Sequence, residues 1–118
     1  MSKSRKVKRA EETIKREIAD IINKEIKVSN QSLVTVTNVE CSPDLREAKF
    51  YVSIYEKDKD IKDKQFNKLK KQIKTIRYHL GTRISDWRYV PELTAKLDNS
   101  LQRVEKIEKL LEEDKKDN

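Results

Sequence analysis

The segment from Val34 to Asp98 changes its hydrophobic period twice, and this change most constrains the fold. Two short apolar runs flank residues 42–46, a long basic segment follows, and a third apolar run opens on residues 88–93. The short runs have the two-residue repeat of half-buried strands, whereas the long segment has the three- and four-residue repeat of an amphipathic helix. The segment therefore predicts a small sheet packed against a helix.

The first strand is predicted from about residue 33 to residue 41, with a change of apolar phase inside it. Its apolar side chains fall into two pairs of opposite parity: Val34 and Val36, then Val39 and Cys41. A strand cannot place all four on one face unless one extra residue is inserted. We therefore expect a β-bulge near Thr37-Asn38.

The second strand alternates regularly. One predicted face carries Ala48, Phe50, Val52 and Ile54, and the other carries Lys49, Tyr51, Ser53 and Tyr55. Pro43 and Asp44 lie in the short connection before it, which predicts an antiparallel hairpin. The third strand is predicted to open on Arg88 and is indicated by the alternation of Leu93, Ala95 and Leu97.

A helix is predicted before the strands, with basic residues at its start. Its apolar face comprises Val7, Ala10, Ile14, Ile18, Ile21 and Ile22. The first nine residues include no acid and carry a basic cluster: Lys3, Arg5, Lys6, Lys8 and Arg9. Positive charge at a helix N-terminus opposes the helix dipole. The cluster is thus either a frayed, solvated start or an arm that binds phosphates.

A long basic helix is predicted after a charged loop over residues 56–63. Its apolar stripe comprises Phe66, Leu69, Ile73, Ile76, Leu80 and Ile84, and its opposite half carries Lys64, Lys68, Lys71, Lys74, Tyr78 and His79. Residues 64–83 include seven basic residues and no acidic one. A solvated helix usually mixes charges of both signs. Phosphate binding would relieve the repulsion along this face.

The remaining features concern the ends of elements and the number of domains. Gly81 is the only glycine, and a kink, a helix end or a close backbone approach would each explain its position inside the basic helix. A last helix is predicted after residues 98–100, with an apolar face of Leu101, Val104, Ile107, Leu110 and Leu111. We expect one domain over residues 1–111 and a charged, disordered tail over residues 112–118.

Composition excludes several classes of protein. The 28 Lys and Arg against 21 Asp and Glu give a net charge of +7, which favours nucleic acid or an anionic membrane as partner. The single cysteine, Cys41, cannot form a disulfide framework or a Cys-rich zinc site. No apolar run is long enough for a membrane span, and the basic N-terminus is not followed by the apolar run of a secretory signal. We expect a cytoplasmic protein without cofactor or metal.

Several motifs in this order resemble one known family. They are Ser42-Pro43-Asp44-Leu45 and Ala48-Lys49-Phe50-Tyr51-Val52-Ser53, Ile76-Arg77 and Leu80-Gly81, and Val90-Pro91-Glu92-Leu93 followed by Asp98-Asn99-Ser100. Together they resemble ribosome-binding factor A, and the resemblance extends from about Arg5 to Leu110. It implies an α+β, KH-like fold of the bacterial type, in the order α-β-β-α-kink-α-β with a C-terminal helix and a three-stranded sheet packed on helices.

The resemblance also implies a function. The family is a small-subunit assembly factor that binds 16S rRNA in the immature 30S ribosomal subunit, supports maturation of the 5′ end of 16S rRNA and is associated with growth in the cold. For this chain it implies a monomeric, non-enzymatic RNA-binding protein found on free 30S subunits rather than on complete ribosomes, with no membrane partner.

The kink is where this sequence departs from the family. An ordinary KH domain clamps single strands with a Gly-x-x-Gly loop, and the family has an Ala-x-Gly kink instead. The matching position here is Gln72-Ile73-Lys74, which has neither alanine nor glycine. Local propensity favours a straight helix of about 33 Å over residues 64–85. Because a small sheet could not cover its whole stripe, we expect packing to bend the axis between Gln72 and Ile76.

The predicted RNA-binding residues are basic, with one aromatic. Phosphate contacts are expected from Arg5, Lys6, Lys8, Arg9, Lys64, Lys68, Lys71, Lys74, Arg77, Arg83 and Arg88, and base stacking from Tyr78. Tyr51 and Tyr55 are further candidates for exposure, although partial burial is expected for any one tyrosine. The alternatives are a general RNA chaperone and a pre-rRNA nuclease. The nuclease needs a carboxylate–metal site or a histidine acid–base pair, and the single His79 and scattered acids argue against it.

Overall fold

A computed structural model describes residues 4–26 and 33–99 of the 118 residues. The described elements follow the order α1 (Arg5–Glu25), β1 (Leu33–Cys41), β2 (Glu47–Tyr55), α2 (Lys59–Lys71), α3 (Ile73–Arg83) and β3 (Glu92–Leu97). This α-β-β-α-α-β order and the α+β class confirm the prediction. The predicted C-terminal helix and charged tail lie outside the described residues.

The sheet has the strand order β1-β2-β3, with β1 antiparallel and β3 parallel to the central β2. The register between β1 and β2 shifts between Val36 and Asn38, which confirms the predicted bulge. The extra residue is Thr37, whose hydroxyl donates a 2.7 Å hydrogen bond to the Asp98 carboxylate just after β3. The bulge therefore ties one edge strand to the end of the other.

The core lies between one face of the sheet and the helices. All six predicted apolar residues of α1 are buried, and its first turn is capped by Ser4, whose Oγ accepts from the Val7 amide at 3.2 Å. The predicted inner face of β2 is also buried, with Phe50 at its centre. α1 packs on β1 and α3, α2 packs on β2 and β3, and α3 packs on β3. Helical and strand periodicity thus identified most of this core.

The predicted long helix is divided at Gln72. α2 ends at Lys71 and α3 begins at Ile73, and the Gln72 amide donates to the Leu69 carbonyl at 3.0 Å, one residue short of α-helical spacing. Leu69 and Ile76, on either side of the break, are fully buried. The predicted split into two helices is therefore confirmed, although neither alanine nor glycine is present at that position.

The start of α2 was predicted five residues too late. The helix begins at Lys59 rather than near Lys64, because the Asp58 carboxylate accepts hydrogen bonds from the amides of Asp60 (2.9 Å) and Ile61 (3.3 Å) and so caps it. The buried face accordingly starts earlier than the predicted stripe. It includes Lys62 and Gln65, whereas Phe66 and Ile73 are only partly buried.

The third strand was predicted four residues too early. β3 begins at Glu92 and not at Arg88, since Pro91 has no amide hydrogen to donate to a ladder and the Val90 and Pro91 carbonyls bond to Arg77. Gly81 is explained by the same loop. A Cβ built on Gly81 would lie 3.3 Å from Cγ2 of Val90, so a close approach, and not a helix end, accounts for this glycine.

Candidate nucleic-acid interface

A row of lysines follows the exposed side of α2 and continues into α3. Its four members are Lys64, Lys68, Lys71 and Lys74, which we call the lysine row. All four side chains are exposed, and no carboxylate of residues 4–26 or 33–99 lies within ion-pair distance of them. The row is thus an accessible positive surface whose charge is not neutralised by described neighbours. Its contact with RNA stays a prediction.

The three residues of the kink position differ in what they expose. Gln72 is half-buried and its carbonyl accepts from the Ile76 amide at 2.9 Å, which starts α3. Ile73 packs against the core, and of the three only Lys74 is exposed. Of the kink position, Lys74 is therefore the residue that a phosphate could reach.

Arg77, predicted to contact RNA, is held by the loop before β3. Its Nη2 donates to the Val90 carbonyl at 2.8 Å, its Nε donates to the Pro91 carbonyl at 3.0 Å, and Glu92 lies 3.4 Å away. Two directed hydrogen bonds from one planar guanidinium fix that loop against α3. The structure thus gives Arg77 a positioning role toward residues 88–91.

Replacing Arg77 with glutamine should lower the free energy of unfolding by about 1–2 kcal/mol. Hydrogen bonds to a charged donor are each worth about 1.5–3 kcal/mol when buried, and the partial exposure of Arg77 reduces that value. Urea denaturation measures the change, with Lys71→Gln as the control that removes an equal charge from the lysine row. Equal stability of the two variants would show that the Arg77 bonds do not hold the loop.

Arg83, also predicted to contact RNA, joins α3 to α1. Its guanidinium donates to the carboxylates of Asp20 and of Glu17, the latter at 3.0 Å. The hydrogen bond from Arg83 lowers the pKa of Asp20 below its ordinary value, with a smaller contribution from Lys24. Because its charge is matched by two acids, Arg83 is less available to a phosphate than the lysine row.

The lowered pKa of Asp20 predicts a pH-dependent stability. A carboxyl whose pKa falls on folding stabilises the native state fully above its unfolded pKa of about 3.9, and this contribution is lost as the pH drops through the folded value. Wild-type protein should therefore be more stable than Asp20→Asn at pH 7, and the difference should shrink toward about pH 2. Urea midpoints across this range test it, with Asp63→Asn as the charge-matched control. A difference that is constant with pH would contradict it.

Tyr78 is accessible, as a stacking residue must be. The residue is 70% exposed, and its ring meets the His79 ring edge-on, with 5.5 Å between centroids. Tyr55 is even more exposed at 76%, so the expectation of partial burial is wrong for these two tyrosines, whereas Tyr51 is half-buried. His79 Nε2 lies 3.9 Å from the carboxylate of Glu25.

The N-terminal basic cluster divides between two sides of α1. Arg5, Lys6, Lys8 and Arg9 are all exposed in the first turns of the helix. Lys6 and Arg9 line a cleft that also includes the predicted residue Arg88, whereas Lys8 does not. The structure thus brings together three predicted residues that are far apart in the sequence.

This cleft contains residues that the sequence reasoning missed. It has a volume of about 750 Å³ and lies between the start of α1, the turn after β1 and the loop after α3. The missed residues are Arg46, Trp87 and Tyr89. The Arg46 guanidinium lies 4.7 Å from the centre of the Tyr89 ring. Aromatic residues that alternate with arginine in Trp87-Arg88-Tyr89 were the available signal.

In the part of the chain that the structure describes, no helix is both long and apolar enough to span a membrane. Within residues 4–26 and 33–99, no three or more His, Cys, Asp or Glu side chains are grouped so that they could hold a metal ion.

Comparison with known proteins agrees with the fold and with the motifs. Residues 6–111 match the profile of the family described as ribosome-binding factor A. The chain is 36% identical over 108 residues to ribosome-binding factor A of Staphylococcus epidermidis, an alignment that covers 92% of this chain and 91% of the relative. It is 41% identical over 113 residues to the Natranaerobius thermophilus protein of the same name, with 96% and 84% covered.

A solved structure shares the fold. The crystal structure of ribosome-binding factor A from Thermus thermophilus superposes with a TM-score of 0.63 at 20% identity, and covers 77% of this chain and 94% of that chain. This match bears out the KH-like α+β architecture. The profile and the two relatives show that the chain belongs to the ribosome-binding factor A family.

Proposed function

We propose that this protein is a non-catalytic assembly factor that binds the immature 30S ribosomal subunit and supports maturation of the 5′ end of 16S rRNA. The observation that carries the proposal is the lysine row, which is exposed and has no described acid partner, on the fold of a ribosome-binding family. Such a surface suits the closely spaced phosphates of folded rRNA. The protein acts in the cytoplasm, as a monomer.

The basic groups of the chain divide into two kinds, and this division supports RNA as the ligand. Arg77 and Arg83 are tied to carbonyl and carboxylate oxygens of the protein itself, and they stabilise the frame. The lysine row makes no such bonds to described residues. Unpaired positive charges along one helix face repel one another in the free protein, and binding of an anionic partner relieves that repulsion.

Sedimentation of a cell extract tests the assignment to a subunit. The protein should travel with free 30S particles and be depleted from complete ribosomes, and the association should weaken as salt increases. The matched control is the same gradient after removal of free 30S particles, in which the protein should move to the top. Equal association with all cellular RNA would support a general RNA chaperone instead.

Purified protein should leave a precursor 16S transcript intact, with or without Mg²⁺, while it still binds immature subunits. The acid–base contact to test is that of His79 with Glu25, at 3.9 Å. The transcript is incubated with the wild type, His79→Gln and Glu25→Gln and analysed by primer extension at the 5′ end. A defined 5′ cut by the wild type that either substitution abolishes would establish a nuclease and overturn the non-catalytic reading.

A further inference from the structure

The cleft beside α1 is positively charged. Six charged residues line it: Lys6, Arg9, Arg46 and Arg88, and the acids Asp44 and Asp86. The Asp44 carboxylate already accepts two hydrogen bonds within its own turn, from the Ser42 hydroxyl at 2.7 Å and from the Arg46 amide at 3.2 Å. The hydrogen bond from the Ser42 hydroxyl lowers the pKa of Asp44, and Nε of Arg46 lies 3.9 Å from the same carboxylate. Four cations against two acids favour an anionic ligand.

The same cleft has a flat, aromatic wall. The Arg46 Nη2 donates to the Tyr89 hydroxyl at 3.2 Å while the Arg46 guanidinium lies against the Tyr89 ring, and the Arg88 guanidinium lies 5.8 Å from the centre of that ring. The half-buried Trp87 packs partly on the core and partly lines the cleft. Aromatic rings and guanidinium planes are the groups on which nucleic-acid bases stack. An inorganic anion has no planar ring to stack on such a wall, so the wall favours a nucleotide as the ligand.

Hydrogen bonds within the protein hold both loops that form the cleft. The bonds of Arg77 to the Val90 and Pro91 carbonyls hold the loop that carries Trp87 and Tyr89. In the opposite turn, Leu45 has a positive φ of 60°, and its amide donates to the Ser42 carbonyl at 2.9 Å. A leucine keeps this left-handed conformation only where its surroundings enforce it. Preformed walls reduce the entropy that a ligand loses on binding.

We propose that this cleft binds one unpaired nucleotide of an RNA strand. The base stacks on the wall of Trp87 and Tyr89, and the adjoining phosphates contact Lys6, Arg9 and Arg88. A volume of about 750 Å³ falls within the range of about 300–1,000 Å³ that is usual for small-ligand sites, and a paired base cannot enter it without leaving its helix. The inference rests on the proposed function in taking RNA as the ligand, and it adds a preference for single strands.

Trp87 is the only tryptophan in the chain, so its fluorescence reports on the cleft directly. The full chain is titrated with a five-nucleotide single-stranded RNA and with a blunt-ended RNA duplex at the same phosphate concentration. We expect saturable quenching by the single strand and little quenching by the duplex. Equal quenching by both, or none by either, would overturn the proposal.

Charge-matched variants distinguish RNA binding in the cleft from nonspecific electrostatic attraction of RNA to the protein. Lys6→Gln with Arg9→Gln removes two cations from the cleft, and Lys15→Gln with Lys57→Gln removes two exposed lysines that do not line it and are not predicted to contact RNA. The cleft pair should weaken single-strand binding on the order of tenfold and lower the salt slope by about 1.4, at about 0.7 per contact. The control pair should change the affinity less than twofold. Equal losses in the two pairs would overturn the proposal.

Trp87→Leu tests the stacking wall, since leucine retains apolar bulk toward the core but has no aromatic face. Anisotropy of a labelled five-nucleotide RNA should show an affinity lower by about 5- to 150-fold, which is the range for loss of one stacked base. A thermal melt confirms that the variant folds, and Trp87→Phe should restore most of the binding. A polyglutamate peptide that competes with the RNA as well as RNA itself does would identify an acidic-peptide site instead.

The two proposals fail in different ways. Loss of 30S association with intact quenching by the short strand would contradict the proposed function and leave the cleft as an RNA site. Normal 30S association without saturable quenching would contradict the cleft and leave the proposed function in place.

Discussion

Replacing all four residues of the lysine row with glutamine should weaken binding to the immature 30S subunit by orders of magnitude and lower the log–log salt slope by about 3. Each phosphate contact that is lost removes about 0.7–0.9 from the slope, and the row offers four. The four lysines are Lys64, Lys68, Lys71 and Lys74, which are exposed and make no ion pairs with described residues, so their loss should leave the fold intact. Filter binding at several salt concentrations measures both quantities.

A second quadruple variant controls for net charge. It replaces four lysines elsewhere with glutamine: Lys15, Lys49, Lys57 and Lys96, all of them exposed. Both variants lose four positive charges, so long-range attraction falls by a similar amount in each. Only the variant of the lysine row should lose the contact-dependent part of the slope. The same slope in the two variants would show that this face of α2 and α3 does not touch the RNA.

The fold could be predicted where the information was local. The buried face of α1, the hairpin of β1 and β2 and the bulge at Thr37 follow from the spacing of apolar residues along one segment. The start of α2 was missed although its signal was also local. Asp58 caps the helix, but its charged neighbours suggested a solvated loop.

The candidate site was harder to predict, because the sequence does not show whether a basic side chain is bonded to another part of the protein in the fold. Lys74, Arg77 and Arg83 lie within ten residues on one helix, yet only Lys74 is unpaired among the described residues. Arg77 is held by carbonyls 13 and 14 residues further along, and Arg83 is held by acids 63 and 66 residues earlier. Such distant partners leave no periodic signal in the sequence.

The cleft illustrates the same limit. Its cations come from the start of α1, from the turn after β1 and from the loop after α3, which only the sheet topology brings together. The sequence identified Lys6, Arg9 and Arg88 as basic and exposed, but it gave no reason to place them beside Arg46. Aromatic residues on both sides of Arg88 were the one local indication.

The break at Gln72 leads to the second prediction with a large effect. Leu69→Ala and Ile76→Ala should each lower the free energy of unfolding by about 2–5 kcal/mol, the range for truncating a fully buried aliphatic side chain. Gln72→Ala should change it by less than about 1 kcal/mol, although alanine is the strongest helix former. Urea denaturation of the three variants gives these values.

The reason for the contrast is that packing, and not local propensity, divides the helix. Leu69 at the end of α2 and Ile76 at the start of α3 are both fully buried, and a break between them lets each helix turn its own apolar side toward the core. A continuous helix through Gln72 would gain one regular hydrogen bond, worth about 1 kcal/mol, and would expose apolar surface worth more. A crystal structure of Gln72→Ala should therefore still show two helices. If alanine at this position produced one unbroken helix, residue choice at the kink would control the geometry, and Lys74 would leave its present place in the lysine row.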